Sequence, residues 1–344
     1  MAENMAPEQD VVVNSRVRLS RNWLDLPFVR TMSDTDAAEC ICRAMESLEA
    51  AGETRDYRVR RMADMGENER GSLLDHQLIS HDLLKNVQRA AALISEDDSV
   101  TVMVNEEDHL RLQGLLEGLQ LEQAAKKAFH ADEIMGASAA YAFDMQLGYL
   151  TSSPTIVGTG LRATVTMHLF GLSRARQIPQ IIKSVNRIGL SLRGLYGSGS
   201  DAMGGLYLLS NQATLGRSED DIIKTVSSTA LQIADRERSI RENMKRTGFI
   251  PLMDSIMRSA GICGNARLMS LREFMNRYAD LRLGASLGAL RIELSAIDNM
   301  MMDLQPSSLG MQAGRELRTL EGDMYRAEQL RKRISMQGAR REPI

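Results

Sequence analysis

The chain has 344 residues, 43 % of them hydrophobic and 25 % charged, with a formal net charge of −3. That is the balance of a globular protein long enough for two domains. A near-neutral total argues against bulk nucleic-acid binding, and no apolar run approaches membrane-spanning length, so neither a nucleic acid nor a membrane is an expected partner.

Residues 1–10 are polar and acidic; they are no signal peptide and are expected to form a disordered leader. Residues 11–13 predict a short strand feeding Ser15-Arg16-Val17-Arg18. Ala37, Cys40, Ile41, Ala44 and Leu48 are spaced for an amphipathic helix. Residues 56–65 read as a strand and 67–71 as a turn. Residues 99–104 are rich in β-branched side chains and predict a strand. At its end stands Asn105-Glu106-Glu107-Asp108-His109-Leu110-Arg111, where an open sheet presents ligand groups. The spacing of Leu112, Leu115 and Leu116 predicts a helix running on through Leu119 and Leu121 toward Phe129.

Residues 151–163 form a Gly/Thr/Ser loop with Arg162 near its end, and residues 193–205 a second glycine-rich loop that opens with Arg193. Residues 163–169, 189–192 and 207–210 read as strands and 177–188 as a helix. Interspersed strands and helices predict a mixed α and β catalytic domain over residues 11–247. Ser218 caps a long helix with Glu219, Asp220 and Asp221 in its first turn, and Gly248 and Pro251 are expected to end it. Beyond, residues 248–344 carry only helical patterns and predict a separate dimerisation or regulatory region. Cys40, Cys42 and Cys263 have neither metal-ligand nor disulfide spacing, which suits a reducing, cytoplasmic setting.

A phosphate-binding Walker loop and the H-R-D and D-F-G signatures of protein kinases are absent. Arginines spread over distant segments are present instead: Arg16, Arg18, Arg111, Arg162 and Arg193. Guanidinium groups stay charged and bind phosphate oxygens through paired hydrogen bonds.

In their order and spacing these segments resemble the ATP:guanido phosphotransferases, and most nearly the bacterial protein-arginine kinases, from residue 11 to about Arg246. The resemblance implies an α+β fold, an antiparallel sheet flanked by helices with an all-α C-terminal domain. It implies transfer of the ATP γ-phosphoryl group, with Mg²⁺, to arginine side chains of proteins. ATP contacts would come from Asn14, Ser15, Arg16, Val17 and Arg18; from His76 in the "H-x-L-I-S"-like element; from Arg111; from Arg162, Ala163, Thr164, Val165 and Thr166; and from Arg193, Gly194, Leu195, Tyr196, Gly197 and Ser198. Glu107 matches the catalytic glutamate, Glu106 a metal-linked acid and Asp108 a supporting acid. Family members also suggest a homodimer, a zinc-finger activator and a protease-chaperone partner.

Several positions depart from the family pattern. T-S-C-P-T-N reads Thr151-Ser152-Ser153-Pro154-Thr155-Ile156, so a hydroxyl replaces the thiol at Ser153. The second catalytic carboxylate of arginine kinases falls at Ser198, with Asp201 nearby as a substitute. Small-guanidine kinases carry a helical domain ahead of the first arginine segment, whereas about a dozen residues precede Arg16 here. An open site suited to protein arginines is the expectation. Residues 321–327 resemble the R-D-x-x-R-A phosphoarginine-binding motif through Asp323 and Arg326, with Gly322 in place of the first arginine. The alternatives are a weakened homologue that binds ATP or phosphoarginine as a regulator, and a small-guanidine kinase.

Overall fold

The computed structural model describes residues 5–195, 197, 198 and 201–336; side chains at 197, 198, 201, 335 and 336 are not among those described. The strands are β1 (Val12–Arg21), β2 (Tyr57–Arg61), β3 (Ala91–Ser95), β4 (Val100–Val104), β5 (Leu110–Glu117), the short pair β6 (Phe143–Asp144) and β7 (Gly148–Tyr149), β8 (Leu161–His168), β9 (Leu190–Gly194), the short pair β10 (Gly197–Ser198) and β11 (Asp201–Ala202), and β12 (Leu206–Asn211). The helices are α1 (Asp34–Ala50), α2 (Glu67–Asp75), α3 (Leu121–Ser138), α4 (Phe170–Arg174), α5 (Ile178–Arg187), α6 (Glu219–Asn265), α7 (Leu271–Ser286), α8 (Leu294–Asp303), α9 (Pro306–Ala313) and α10 (Thr319–Met336).

Eight strands form one sheet in the order β2-β3-β4-β5-β1-β8-β12-β9, every pairing antiparallel. Side chains alternate between its faces. Val17, Leu19, Leu112, Ala163, Val165 and Leu209 are buried in the core shared with α1, α3, α5 and the first half of α6. On the other face, Met62, Leu78, Ile79 and Leu83 cover Ala92, Ile94 and Met103 of β3 and β4. Further along that face, over β5, β1, β8 and β9, stand the arginines.

Five segments differ from their sequence reading. The strand expected over residues 56–65 ends at Arg61, and Met62–Asp64 form a short 3-10 turn. Residues 67–71 are no turn but the start of α2, whose entry is fixed by Gly66 N–H donating to Glu69 Oε2 at 2.8 Å. Residues 110–117 are strand, not helix. The leucine spacing fits a helical face, but the L-R-L-Q alternation wins because Gly114 lies where α3 crosses the sheet: a Cβ there would sit 2.0 Å from the Ala124 carbonyl oxygen. The long helix does not end at Gly248. It kinks there (φ −148°, ψ 43°), since Pro251 cannot supply the N–H that the preceding turn requires, and then continues to Asn265. Residues 6–10 of the expected leader are held in a turn. Gln9 is buried, and the carbonyls of Gln9 and Asp10 accept from Arg282 at 2.9 and 3.1 Å.

No strand follows Pro251 among the described residues. The helical C-terminal region shares a second core with the sheet, since Val13, Phe170 and Leu206 pack with Phe274, Tyr278 and Met301. No described helix is long and apolar enough to cross a membrane.

Candidate active site

Strand register explains how arginines distant in sequence meet. Arg18 lies opposite both Arg162 on β8 and Gln113 on β5, Arg16 opposite Thr164, and Ser20 opposite Arg111. Arg193 on β9 faces Leu208 on β12, which in turn faces Thr166. All five arginines therefore stand on one face of five adjacent strands. Arg16, Arg18, Arg111 and Arg162 are half-buried and Arg193 is exposed.

Burial and mutual repulsion both act on these guanidinium groups. Burial, then Arg111, Arg193 and Arg162, push the Arg16 guanidinium down to about 10. Burial and the neighbouring guanidinium groups also lower Arg18 and Arg162. A protein that gathers five cations with little compensating charge is built to receive a polyanion. Two buried donors here have no partner, Arg16 Nε and Gln77 Nε2, and acceptor oxygens of a ligand would satisfy them.

The segment at residues 105–109 is the tight connection between β4 and β5, and most of it is buried. Asn105 adopts φ +61° and its side-chain amide donates to the carbonyls of Ala37 and Arg89 at 2.9 and 2.7 Å. Asp108 Oδ1 accepts from Asn22 Nδ2 and from Ser152 N–H, both at 2.7 Å, so it ties this turn to the end of β1 and to the 151–156 loop. His109 Nδ1 accepts from Trp23 N–H at 3.0 Å, so its Nε2 carries the proton donated to the Pro27 carbonyl at 2.8 Å. Glu106 is fully buried. One oxygen takes Ser80 Oγ and Arg111 Nη1, and the other takes Glu107 N–H at 3.0 Å. It is a buried counter-charge for Arg111, with three donors shared between its two oxygens.

Glu107 alone is presented, its side chain 48 % exposed and 3.4 Å from Arg111 Nη2. Burial, with Glu106, Asp82 and Asp108 close by and Arg111 opposing, raises its carboxyl above the ordinary value. That makes it a better proton acceptor. Ser152 Oγ donates to the Glu107 carbonyl at 2.8 Å and docks the 151–156 loop beside it. Ser153 is half-buried on that loop, 3.0 Å from Thr155 Oγ1, while Ile156 turns inward at 5 % exposure.

The other expected residues divide. Asn14 and Thr166 share a 2.7 Å hydrogen bond on the arginine face. Ser15, Val17, Ala163 and Val165 are buried and could offer a ligand only backbone; Thr164 is 5 % exposed on the arginine face. Gly194 and Leu195 follow Arg193 at the end of β9. Tyr196 lies outside the described residues. Gly197 and Ser198 pair in backbone register with Ala202 and Asp201, and the side chains of Ser198 and Asp201 lie outside the description.

Both ring nitrogens of His76 are engaged, Nδ1 with the Ser72 carbonyl at 2.8 Å and Nε2 with Asp303 at 2.9 Å. Both partners are acceptors, so both hydrogen bonds form together only with the protonated ring. The Asp303 hydrogen bond accordingly raises its pKa. Arg326 is 3 % exposed, donating to Asp323 and to the carbonyls of Leu304 and Met269 at 2.8–2.9 Å. Asp323 and Arg326 thus tie α10 to its neighbours.

Gln113 and Gln77 were missed in the sequence. Gln113 is 1 % exposed, accepts from Arg18 Nε at 2.8 Å and donates to the Gln77 carbonyl at 2.8 Å. Gln77, held at φ +61°, places its side-chain oxygen 3.5 Å from both Asn14 Nδ2 and Arg16 Nη1. Reading 110–117 as a strand would have put Gln113 beside Arg111 on the site face.

An antiparallel sheet bearing an arginine cluster and one presented glutamate defines a guanido phosphotransferase site. Residues 38–240 match the ATP:guanido phosphotransferase C-terminal catalytic domain, and residues 250–343 the protein-arginine kinase McsB C-terminal domain. A protein-arginine kinase of Caldanaerobacter subterraneus subsp. tengcongensis is 38 % identical over 326 residues, 93 % of this chain and 96 % of that one. That of Symbiobacterium thermophilum is 39 % identical over 337 residues, 97 % and 96 % of the two chains. The chain belongs to the protein-arginine kinases of the ATP:guanido phosphotransferase family. Among solved structures, a lombricine kinase superposes with a TM-score of 0.58 at 22 % identity over 71 % of each chain. The duplicated taurocyamine kinase of Schistosoma mansoni gives 0.63 at 21 % identity, over 79 % of this chain and 40 % of that one; both likenesses concern the fold.

Proposed function

We propose that this protein transfers the γ-phosphoryl group of ATP to arginine side chains of other proteins. The observation that carries the reading is the single-face cluster of Arg16, Arg18, Arg111, Arg162 and Arg193 beside the presented carboxylate of Glu107. Phosphoryl transfer needs alignment and charge neutralisation more than covalent chemistry. The arginines hold the phosphate oxygens in fixed directions, and Gln113 and Gln77 fix Arg18 and Arg16. Among the described residues no group of three or more His, Cys, Asp or Glu is placed to enclose a metal ion. Mg²⁺ would be held chiefly by phosphate oxygens and water, where it supplies further neutralisation. The acceptor guanidinium is a cation with a pKa above about 12, so it must lose a proton to attack. Glu107 is placed to orient it and to take the proton from its nitrogen as the N–P bond forms and the bond to the ADP oxygen breaks.

Ser153 and Ser198 stand where the family carries a thiol and a carboxylate, so turnover is expected to be slow. One such electrostatic contact commonly supplies about 2.7–4 kcal/mol in the transition state, roughly two to three decades in rate. A cytoplasmic setting fits the three unpaired cysteines. The test is ADP release from Mg-ATP in the presence of an arginine-rich protein. Release is expected with the native protein and not after its arginines have been blocked chemically. Equal release in both cases, or release driven only by free arginine, would reject this reading.

A further inference from the structure

A cavity of about 240 Å³ opens at the end of the arginine face, between the β1 and β5 ends of the sheet and helix α8. Ligand pockets for whole small molecules run to roughly 300 Å³ and above, so this one suits part of a ligand. Its sheet side includes Asn14, Leu78 and Leu115, and its opposite wall is Asn299 and Met302. Asn14 and Arg16 are alternate residues of one strand on one face, and the Gln77 side-chain oxygen lies 3.5 Å from both. The cavity and the cation cluster therefore adjoin, and the unpartnered donors Arg16 Nε and Gln77 Nε2 lie at their junction.

A nucleotide whose phosphates rest on the arginines can extend its base into this adjoining cavity. Asn299 and Met302 are three positions apart on α8 and share a helix face. Asn299 is exposed, and its side chain has no hydrogen-bond partner among the described residues. Its amide offers a donor and an acceptor side by side, the pattern that matches the N6 amino and N7 edge of adenine, where guanine presents two acceptors. Met302 is half-buried and supplies a soft, polarizable side chain suited to a ring face. The α8 wall is fixed by ion pairs: Asp298 to Arg282 at 2.8 Å, and Asp303 to His76 at 2.9 Å.

We propose that the C-terminal helical region supplies one wall of the nucleoside subsite, with Asn299 reading the edge of the base and Met302 packing on its ring. The proposal rests on the ATP reading above and adds a selectivity element from outside the catalytic sheet. The test compares full-length wild type with Asn299→Ala, an exposed change with unchanged melting expected. Calorimetry follows binding of Mg-ATP, Mg-GTP and Mg-tripolyphosphate. The expected result is a tenfold loss of ATP affinity and loss of the preference for ATP over GTP, with tripolyphosphate affinity unchanged. Met302→Ala should weaken both nucleotides together and spare tripolyphosphate. ATP affinity and selectivity unchanged in Asn299→Ala, with tripolyphosphate bound normally, overturns the α8 wall and leaves the phosphate site standing. Failure of the wild type to bind tripolyphosphate or ATP overturns the nucleotide reading and this proposal with it.

Discussion

Replacing Glu106 by Gln keeps the shape of the side chain and removes the buried counter-charge of Arg111. The carboxylate receives three donors: Ser80 Oγ and Arg111 Nη1 on one oxygen and Glu107 N–H on the other. A glutamine has one acceptor oxygen and one amide nitrogen. If the oxygen serves Arg111, the nitrogen confronts Glu107 N–H, a donor against a donor. The Arg111 bond keeps its charged donor but loses its charged acceptor, and an unpaired buried donor adds about 1–3 kcal/mol. The loss therefore lies between that range and the roughly 3–5 kcal/mol for breaking a buried pair outright. The assay is urea unfolding in metal-free buffer, repeated with saturating tripolyphosphate. The deficit should shrink when the anion is present, because Arg111 then regains a negative partner; ligand at about 100 times its Kd adds about 2.7 kcal/mol. Wild-type stability in Glu106→Gln without metal, with a defect seen only when Mg²⁺ is added, would refute the counter-charge role and return Glu106 to the metal.

The hydrogen bond to Asp303 favours protonated His76, and its folded pKa lies above the ordinary 6.5. Its contribution is therefore complete below the unfolded value and lost as pH rises through the folded one. The difference in urea midpoint between wild type and His76→Gln should be widest below about pH 6.5 and close on the alkaline side; a difference that grows with pH contradicts the pairing. The double change Ser153→Cys with Ser198→Glu should raise turnover roughly tenfold, on the order of 1.4 kcal/mol, with little change in ATP affinity. Steady-state rates on one arginine-rich protein check this, and no gain would mean that neither serine borders the acceptor.

Much of the site was legible in the sequence because its arginines fall on short motifs in a fixed order. Arg16, Arg18, Arg111, Arg162 and Arg193 share one face of the sheet. Glu107 was separable from Glu106 and Asp108 only by resemblance. Its distinction, exposure, depends on Asn22, Ser80 and Ser152, which approach from elsewhere in the chain. The misread strand at 110–117 hid Gln113, because leucines at 112, 115 and 116 fit a helical face and nothing local announces that α3 crosses at Gly114. The kink at Gly248 read as a terminus for a related reason. Local signals mark where a helix loses a hydrogen bond, while the second core, which pulls Leu252 and Ile256 inward, decides that it resumes. The closure of the arginine face by α8 rests on contacts such as His76 with Asp303, 227 positions apart, which no local pattern reports.

Phosphorus NMR on an arginine-rich protein incubated with Mg-ATP and this enzyme, beside a Glu107→Gln control, tests arginine phosphorylation most directly. A phosphorus–nitrogen resonance that disappears on acidification should grow with the wild type and be absent with Glu107→Gln, which keeps its ATP affinity. An acid-stable phosphate signal, or an acid-labile one that grows equally with Glu107→Gln, would contradict it.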